Sequence, residues 1–177
     1  MGGTNVLFPT SKAERKTWTH FRREREARPV THEQYMEEAL RLAEEAESQG
    51  EVPVGCVIVD SKGEIIGRGR NRREAEGLAT AHAEIIAIEE ACRALGDWRL
   101  GQCSLYVTLE PCPMCAGAII NARIGKVFYG AKDPTLGAAG SVINLFLERF
   151  GHEPQLVGGL LEEPCGALMT GFFRALR

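Results

Sequence analysis

No apolar run in this 177-residue chain approaches the roughly 20 residues that a helix needs to span a bilayer, so a helical membrane-resident protein is excluded. The start has no apolar core of a secretory signal, and Val6 stands where a myristoylation motif after Gly2 wants Ser or Thr. The protein is therefore expected to stay in the cytoplasm. Internal repeats and low-complexity tracts are also missing. Apolar residues are not scarce: 44% hydrophobic against 25% charged is a globular balance, which excludes general disorder. The body lacks the basic surplus that would advertise a polyanionic partner, since residues 1–30 carry seven Lys/Arg against three Asp/Glu and the remainder carries fourteen against twenty-one. Any nucleic-acid reading must rest on local patches and on site chemistry.

The length suits one domain over residues 31–177, preceded by a basic extension over 1–30 whose mixture of Gly, Pro, Thr and charge reads as a solvated tail, with an RNA-touching arm and an organelle-targeting segment as the alternatives. Thr31 with Gln34 makes a capping box for a first helix that Gly50 ends, with Tyr35, Met36, Ala39, Leu40, Ala43 and Ala46 on its apolar face. An unbroken apolar run over 54–60 predicts a strand covered on both faces, and Ser61-Lys62-Gly63 turns it into a hairpin partner over 64–70. A polar loop over 72–79 leads to a helix over 81–95. A strand over 103–110, a helix over 112–121 and a strand over 124–130 follow, the two strands pairing in parallel. Gly137-Ala138-Ala139-Gly140-Ser141 is expected to cap a helix over 142–149. A weaker fifth strand is expected over 155–157, and a closing helix opened by Pro164 carries Leu168, Phe172 and Leu176 along one side. The fold class is α/β, a three-layer α/β/α sandwich around a mixed sheet of about five strands.

Six cysteines, two of them in Cys-x-x-Cys spacing, suggest thiol and metal chemistry in a reducing compartment more than a disulfide framework. Two stretches concentrate that chemistry: Thr80-Ala81-His82-Ala83-Glu84-Ile85 and Leu109-Glu110-Pro111-Cys112-Pro113-Met114-Cys115. Cys112 and Cys115 are three apart, so in the first turn of a helix both sulfurs face one side, where the partial positive charge of the helix start favours thiolates. Pro111 is expected at the helix entry, where a missing N–H costs nothing. His82 and Glu84 are two apart, roughly 200° around a helix, so both must look out over its end. His82, Cys112 and Cys115 are thus candidate ligands of one Zn²⁺ per subunit, and Glu84 is a candidate proton carrier. A three-ligand site keeps a coordination place for water or substrate, as catalytic rather than structural zinc does. Cys56, Cys92, Cys103, Cys165 and His152 do not sit in ligand-like spacing. A lone Cys-x-x-Cys reads as redox or structural and a lone histidine as a satisfied core residue; His-x-Glu and Pro-Cys-x-x-Cys together point to zinc catalysis.

Further words surround these: Glu51-Val52-Pro53-Val54-Gly55, Asn71-Arg72, Leu105-Tyr106-Val107-Thr108-Leu109, Met114-Cys115-Ala116-Gly117-Ala118, Arg123-Ile124-Gly125 and Gly137-Ala138-Ala139-Gly140-Ser141. From about Tyr35 to Arg174 the chain resembles the bacterial tRNA-specific adenosine deaminases of the cytidine-deaminase-like superfamily. The resemblance implies that superfamily's fold, a homodimer, and conversion of the wobble adenosine in a tRNA anticodon stem-loop to inosine. It makes Glu84 the residue that passes a water proton to N1 and assists departure of ammonia, and it gives the Cys112 N–H a part in holding the oxygen nucleophile. It also implies substrate contacts at Asn71, Ala83, Asp133, Phe173 and Arg174. Taken alone, Asn71 also reads as a turn residue and Asp133 as the start of an Asp-Pro turn. Two alternatives remain: deamination of a free base or nucleotide such as guanine or cytosine, and a non-catalytic zinc-stabilised RNA-binding subunit.

Overall fold

The computed structural model describes residues 30–176, so the basic extension expected over 1–30 lies, Val30 apart, outside the described residues. The first helix, α1 (His32–Ser48), begins as the sequence prescribes: Thr31 Oγ1 accepts the Gln34 N–H at 3.3 Å and Gln34 Oε1 accepts the Thr31 N–H at 2.9 Å. Its buried stripe is Tyr35, Met36, Ala39, Leu42, Ala43 and Ala46; Leu42 takes the full burial expected of Leu40, which is only half-buried. His32 ties this helix to the sheet, with Nδ1 2.7 Å from the Tyr106 hydroxyl and its ring stacked on Phe128.

Five strands follow, β1 (Gly55–Val59), β2 (Ile65–Arg70), β3 (Ser104–Leu109), β4 (Lys126–Ala131) and β5 (Gln155–Gly158), in the sheet order β2-β1-β3-β4-β5. The β1 pairings to β2 and β3 are antiparallel, whereas β3, β4 and β5 run parallel, so the sheet is mixed as expected. Every residue of β1 is buried, which explains its unbroken apolar run. Two apolar clusters lie on opposite faces of the sheet. One joins α1 to the closing helix α5 (Glu162–Ala175); the other holds α3 (Ala83–Leu95) and α4 (Pro113–Asn121). The three-layer sandwich is thus formed. Among the described residues no helix is long and apolar enough to cross a membrane.

Small residues set how closely α3 lies on the sheet. A Cβ at Gly69 would stand 1.9 Å from the Ala83 carbonyl oxygen and one at Gly67 2.3 Å from that of Ala87, so only glycine admits this approach. Ala83, Ala87 and Ala91 complete the contact from the helix side. Gly69→Ala is expected to destabilise the fold by about 2–3 kcal/mol and to displace the start of α3. A denaturation midpoint equal to that of the parent chain would contradict this account.

Several elements differ from expectation. The loop over 72–79 contains a short helix, α2 (Arg73–Glu76), and α3 starts at Ala83 rather than Ala81 because His82 has extended backbone. Cys112 is the N-cap of α4 and Pro113, not Pro111, is its entry proline. The helix expected over 142–149 shrinks to a 3₁₀ turn at Leu145–Leu147. Ala139 bridges Asn144, the Gly140 N–H is given to the Ile143 carbonyl, and Asn144 Oδ1 takes the Phe146 N–H, so a tight turn consumes groups a helix needs. The closing helix starts two residues before Pro164, and its expected apolar side is incompletely covered: Leu168 and Phe172 are half-buried and Leu176 is 68% exposed.

Candidate active site

Strand ends and helix starts converge where β3 and β4 run out, at the carboxyl edge where α/β sheets place their ligands. His82 caps α3 and Cys112 caps α4, so the positive ends of two helix dipoles face the same point. His82 Nδ1 lies 3.7 Å from Cys112 Sγ and 3.5 Å from Cys115 Sγ. A tetrahedral ion with Zn–S of about 2.3 Å and Zn–N of about 2.05 Å requires N···S edges of about 3.6 Å. The three donors therefore have the spacing of zinc ligands, and among the described residues no fourth His, Cys, Asp or Glu joins their group. His152 is spent elsewhere, its Nε2 2.7 Å from the Ile124 carbonyl, and Cys56 is buried in the core.

Electrostatics agree with a cation at this point. The Cys112 thiol is held down to about 4, first by its hydrogen bond with the Cys115 thiol and then, against burial, by the His82 imidazole. The Cys115 thiol is driven up, by that same bond and then by burial. The two sulfurs share one proton, which a divalent cation displaces on binding. Glu84, 4% exposed and in the first turn of α3, stands outside the donor group. Burial pushes its carboxyl up to about 7, with the Cys112 sulfur adding to the shift and the α3 backbone N–H opposing it.

A cavity of about 780 Å³ opens over this point. Its walls include Asn71, His82, Ala83, Glu84, Cys112, Asp133, Phe173 and Arg174, so every site residue expected from sequence borders it except Cys115, which is completely buried. Phe173 reaches it from α5 and is 47% exposed. Asp133 fits its turn reading, its Oδ1 accepting the N–H groups of Thr135 at 2.8 Å and Leu136 at 3.1 Å, and the residue also lines the cavity. Asn71 is 5% exposed, and its Nδ2 points at Glu51 Oε2, 3.5 Å away.

Sequence reasoning missed two buried acids that build the walls. Glu110 accepts the N–H groups of Asp133 (3.1 Å), Ala139 (2.9 Å) and Ser141 (3.0 Å), together with the Ser141 hydroxyl. Burial alone would raise its pKa, but the Ser141 and backbone donors outweigh that and bring it below the ordinary value. Glu51, 1% exposed, accepts the Ala75 N–H at 2.8 Å. The available signal was an acid set among apolar residues beside a strand, in Glu51-Val52-Pro53-Val54 and Thr108-Leu109-Glu110-Pro111. Arg73 and Lys132 also border the cavity and went unnoticed, being two among many surface cations.

The cytidine and deoxycytidylate deaminase zinc-binding region matches residues 29–131, a span that contains all three donors. Zinc is accordingly the cofactor of this donor set. The chain is 54% identical over 146 residues to the tRNA-specific adenosine deaminase of Bacillus subtilis (strain 168), covering 82% of this chain and 90% of that protein. A solved structure from studies of A-to-I editing by tRNA:A34 deaminases at the wobble position of transfer RNA superposes with a TM-score of 0.73 and 45% identity, over 76% of this chain and 97% of that chain. Guanine deaminase from Bacillus subtilis gives a TM-score of 0.55 and 45% identity, over 58% of this chain and 66% of that chain. Because the zinc-binding region spans more than half of the sequence and the identity extends over nearly the whole of a curated relative, the chain belongs to the zinc-binding cytidine and deoxycytidylate deaminase family, in its tRNA-specific adenosine deaminase branch.

Proposed function

We propose that the chain hydrolytically deaminates adenosine to inosine at the wobble position of a tRNA anticodon, with one zinc ion per subunit. The observation that carries this reading is the placement of a zinc donor set and a buried unliganded carboxyl at the base of a 780 Å³ cavity with Arg73, Lys132 and Arg174 among its walls. That volume lies high in the range of about 300–1,000 Å³ that takes a whole drug-sized ligand, so it has room for a nucleotide rather than a base alone. The three cations suit a phosphate backbone at the entrance.

His82, Cys112 and Cys115 hold the zinc, which when bound lowers the pKa of water and makes it a nucleophile near neutral pH. Glu84 receives a water proton and delivers it to adenine N1 as the oxygen adds at C6. It then takes the remaining hydroxyl proton and hands it to the departing amine, so that the C6–N bond breaks, the C6 carbonyl forms and ammonia leaves. The Cys112 N–H, at the start of α4, is the backbone donor that would help hold the oxygen. Ala83, beside Glu84, Asn71 and Asp133 bound the base and its sugar. Phe173 offers a face for a neighbouring base, and Arg174 a charge for phosphate.

Residues 31–177 form the deaminase domain in this reading, and the basic extension over 1–30 is an appendage to it. A homodimer is supported by the apolar side chains Val142, Ile143, Leu147 and Phe150, each at least 45% exposed, along the segment that replaces the expected helix. The enzyme works in the cytoplasm, where its tRNA is.

Purified zinc-loaded protein is expected to convert adenosine to inosine in an anticodon stem-loop, read by sequencing or by nucleoside analysis, and to leave free guanine, cytosine and adenosine unchanged. Turnover confined to free bases would replace this reading by that of the guanine deaminase to which the chain is also similar.

A further inference from the structure

Asn71 borders the cavity, but what directs its amide lies behind the wall. Glu51, in the connection between α1 and β1, is 1% exposed and does not itself reach the cavity. One of its oxygens, Oε1, holds the Ala75 N–H at 2.8 Å and so anchors α2, which places Arg73 on the rim. The other, Oε2, faces Asn71 Nδ2 at 3.5 Å. The backbone beneath is fixed independently, because the Asn71 N–H is given to the Val54 carbonyl and the Arg72 N–H to that of Ala81.

A carboxylate only accepts hydrogen bonds, so the end of the Asn71 amide turned towards Glu51 must be its NH₂. Asn71 Oδ1 then has no hydrogen-bond partner among the described residues, and it is not sealed from solvent. We propose that Glu51 is a positioning residue that locks the Asn71 amide with its oxygen presented to the substrate, making this point of the cavity select a hydrogen-bond donor.

The inference rests on Asn71 touching substrate, as in the function proposed above. Its chemistry is specific: without Glu51 the amide is free to turn, and a donor and an acceptor then compete for the same place. In an anticodon nucleotide the candidate donors are a ribose hydroxyl and an exocyclic amine.

Two measurements test it. The first needs no turnover: the side-chain NH₂ of Asn71, assigned in the NMR spectrum through Asn71→Ala, is expected to exchange with solvent more slowly than that of exposed Asn121, and its signals should move in Glu51→Gln. Exchange as fast as at Asn121 overturns the proposal, even if Glu51→Gln fails to fold. The second is a double-mutant cycle on anticodon stem-loop deamination. Glu51→Gln is expected to raise KM about tenfold with zinc content unchanged, and to add less than about twofold once Asn71 is already alanine. Equal factors in both backgrounds would reduce Glu51 to a structural support and overturn the positioning role. Single 2′-deoxy substitutions in the stem-loop then separate the sources: a penalty present in the parent and absent in Asn71→Ala marks the ribose hydroxyl, and its absence leaves the exocyclic amine. If no stem-loop is turned over while the NMR coupling is present, the locked amide stands and the tRNA reading falls.

Discussion

Replacing Glu84 by glutamine is expected to lower kcat on an anticodon stem-loop by about 10⁴-fold, the upper end of what one positioned acid–base group supplies, because the same carboxyl handles both proton transfers. Glutamine has the shape of glutamate and cannot carry the proton. Since Glu84 is outside the His82, Cys112 and Cys115 donor group, zinc content measured by metal analysis should stay at one per chain. The melting temperature should hold or rise, because the substitution removes a carboxyl that burial has already pushed up to about 7. A carboxyl in that range both accepts and returns a proton near neutral pH, as the two transfers require. A rate within tenfold of the parent would mean that protons travel by another route and would revive the view of a zinc-stabilised binding subunit. Loss of zinc in Glu84→Gln would instead mean that the carboxyl is a ligand, which the distances between the side chains do not suggest.

The second large effect concerns stability. Glu110→Ala strips the acceptor from the N–H groups of Asp133, Ala139 and Ser141 and from the Ser141 hydroxyl. Orphaned buried donors cost about 1–3 kcal/mol each, and water entering the space left by the side chain recovers part of that, so a net loss on the order of 4 kcal/mol is expected. That corresponds to a fall in melting temperature of roughly 10 °C for a domain of this size. Glu110→Gln should lose about half as much, because its carbonyl oxygen still serves some of these donors while its NH₂ opposes another. Gly137 belongs to the same arrangement, since a Cβ there would lie 2.5 Å from the Glu110 carboxyl. Calorimetry on the zinc-loaded protein decides: a shift under 2 °C would show that solvent satisfies these donors and that Glu110 does not hold the loop. The loop carries Asp133 to Leu136 into the cavity wall, so substrate affinity should fall along with stability.

Much of this molecule was legible before any coordinates. Thr31 and Gln34 announced a helix start, the β-branched run over 54–60 a doubly covered strand, and the spacings of His82, Glu84, Cys112 and Cys115 a candidate metal site whose three donors do come together. These are local signals: capping, periodicity and motif spacing act within a turn or two of chain, and sequence reports that range directly. The sites of failure share a different cause. The helix expected over 142–149 has acceptable local pattern, but Glu110, some thirty residues earlier, already binds the N–H groups of Ala139 and Ser141 and draws the chain into a turn. The apolar side expected for the closing helix ran on to Leu176, which no element among the described residues covers.

Sequence by itself therefore determined the layered α/β architecture, the β1–β2 hairpin, the parallel pairing of β3 with β4 and the candidate metal donors, because each follows from residue types and motifs at short spacing. Only the tertiary structure decided that Glu51 and Glu110 are buried, which way the Asn71 amide turns, and that Asp133, Phe173 and Arg174 share one cavity with His82. Those facts arise from hydrogen bonds and packing between residues far apart in the chain, where a glutamate looks the same whether it ends in water or beneath a pocket wall.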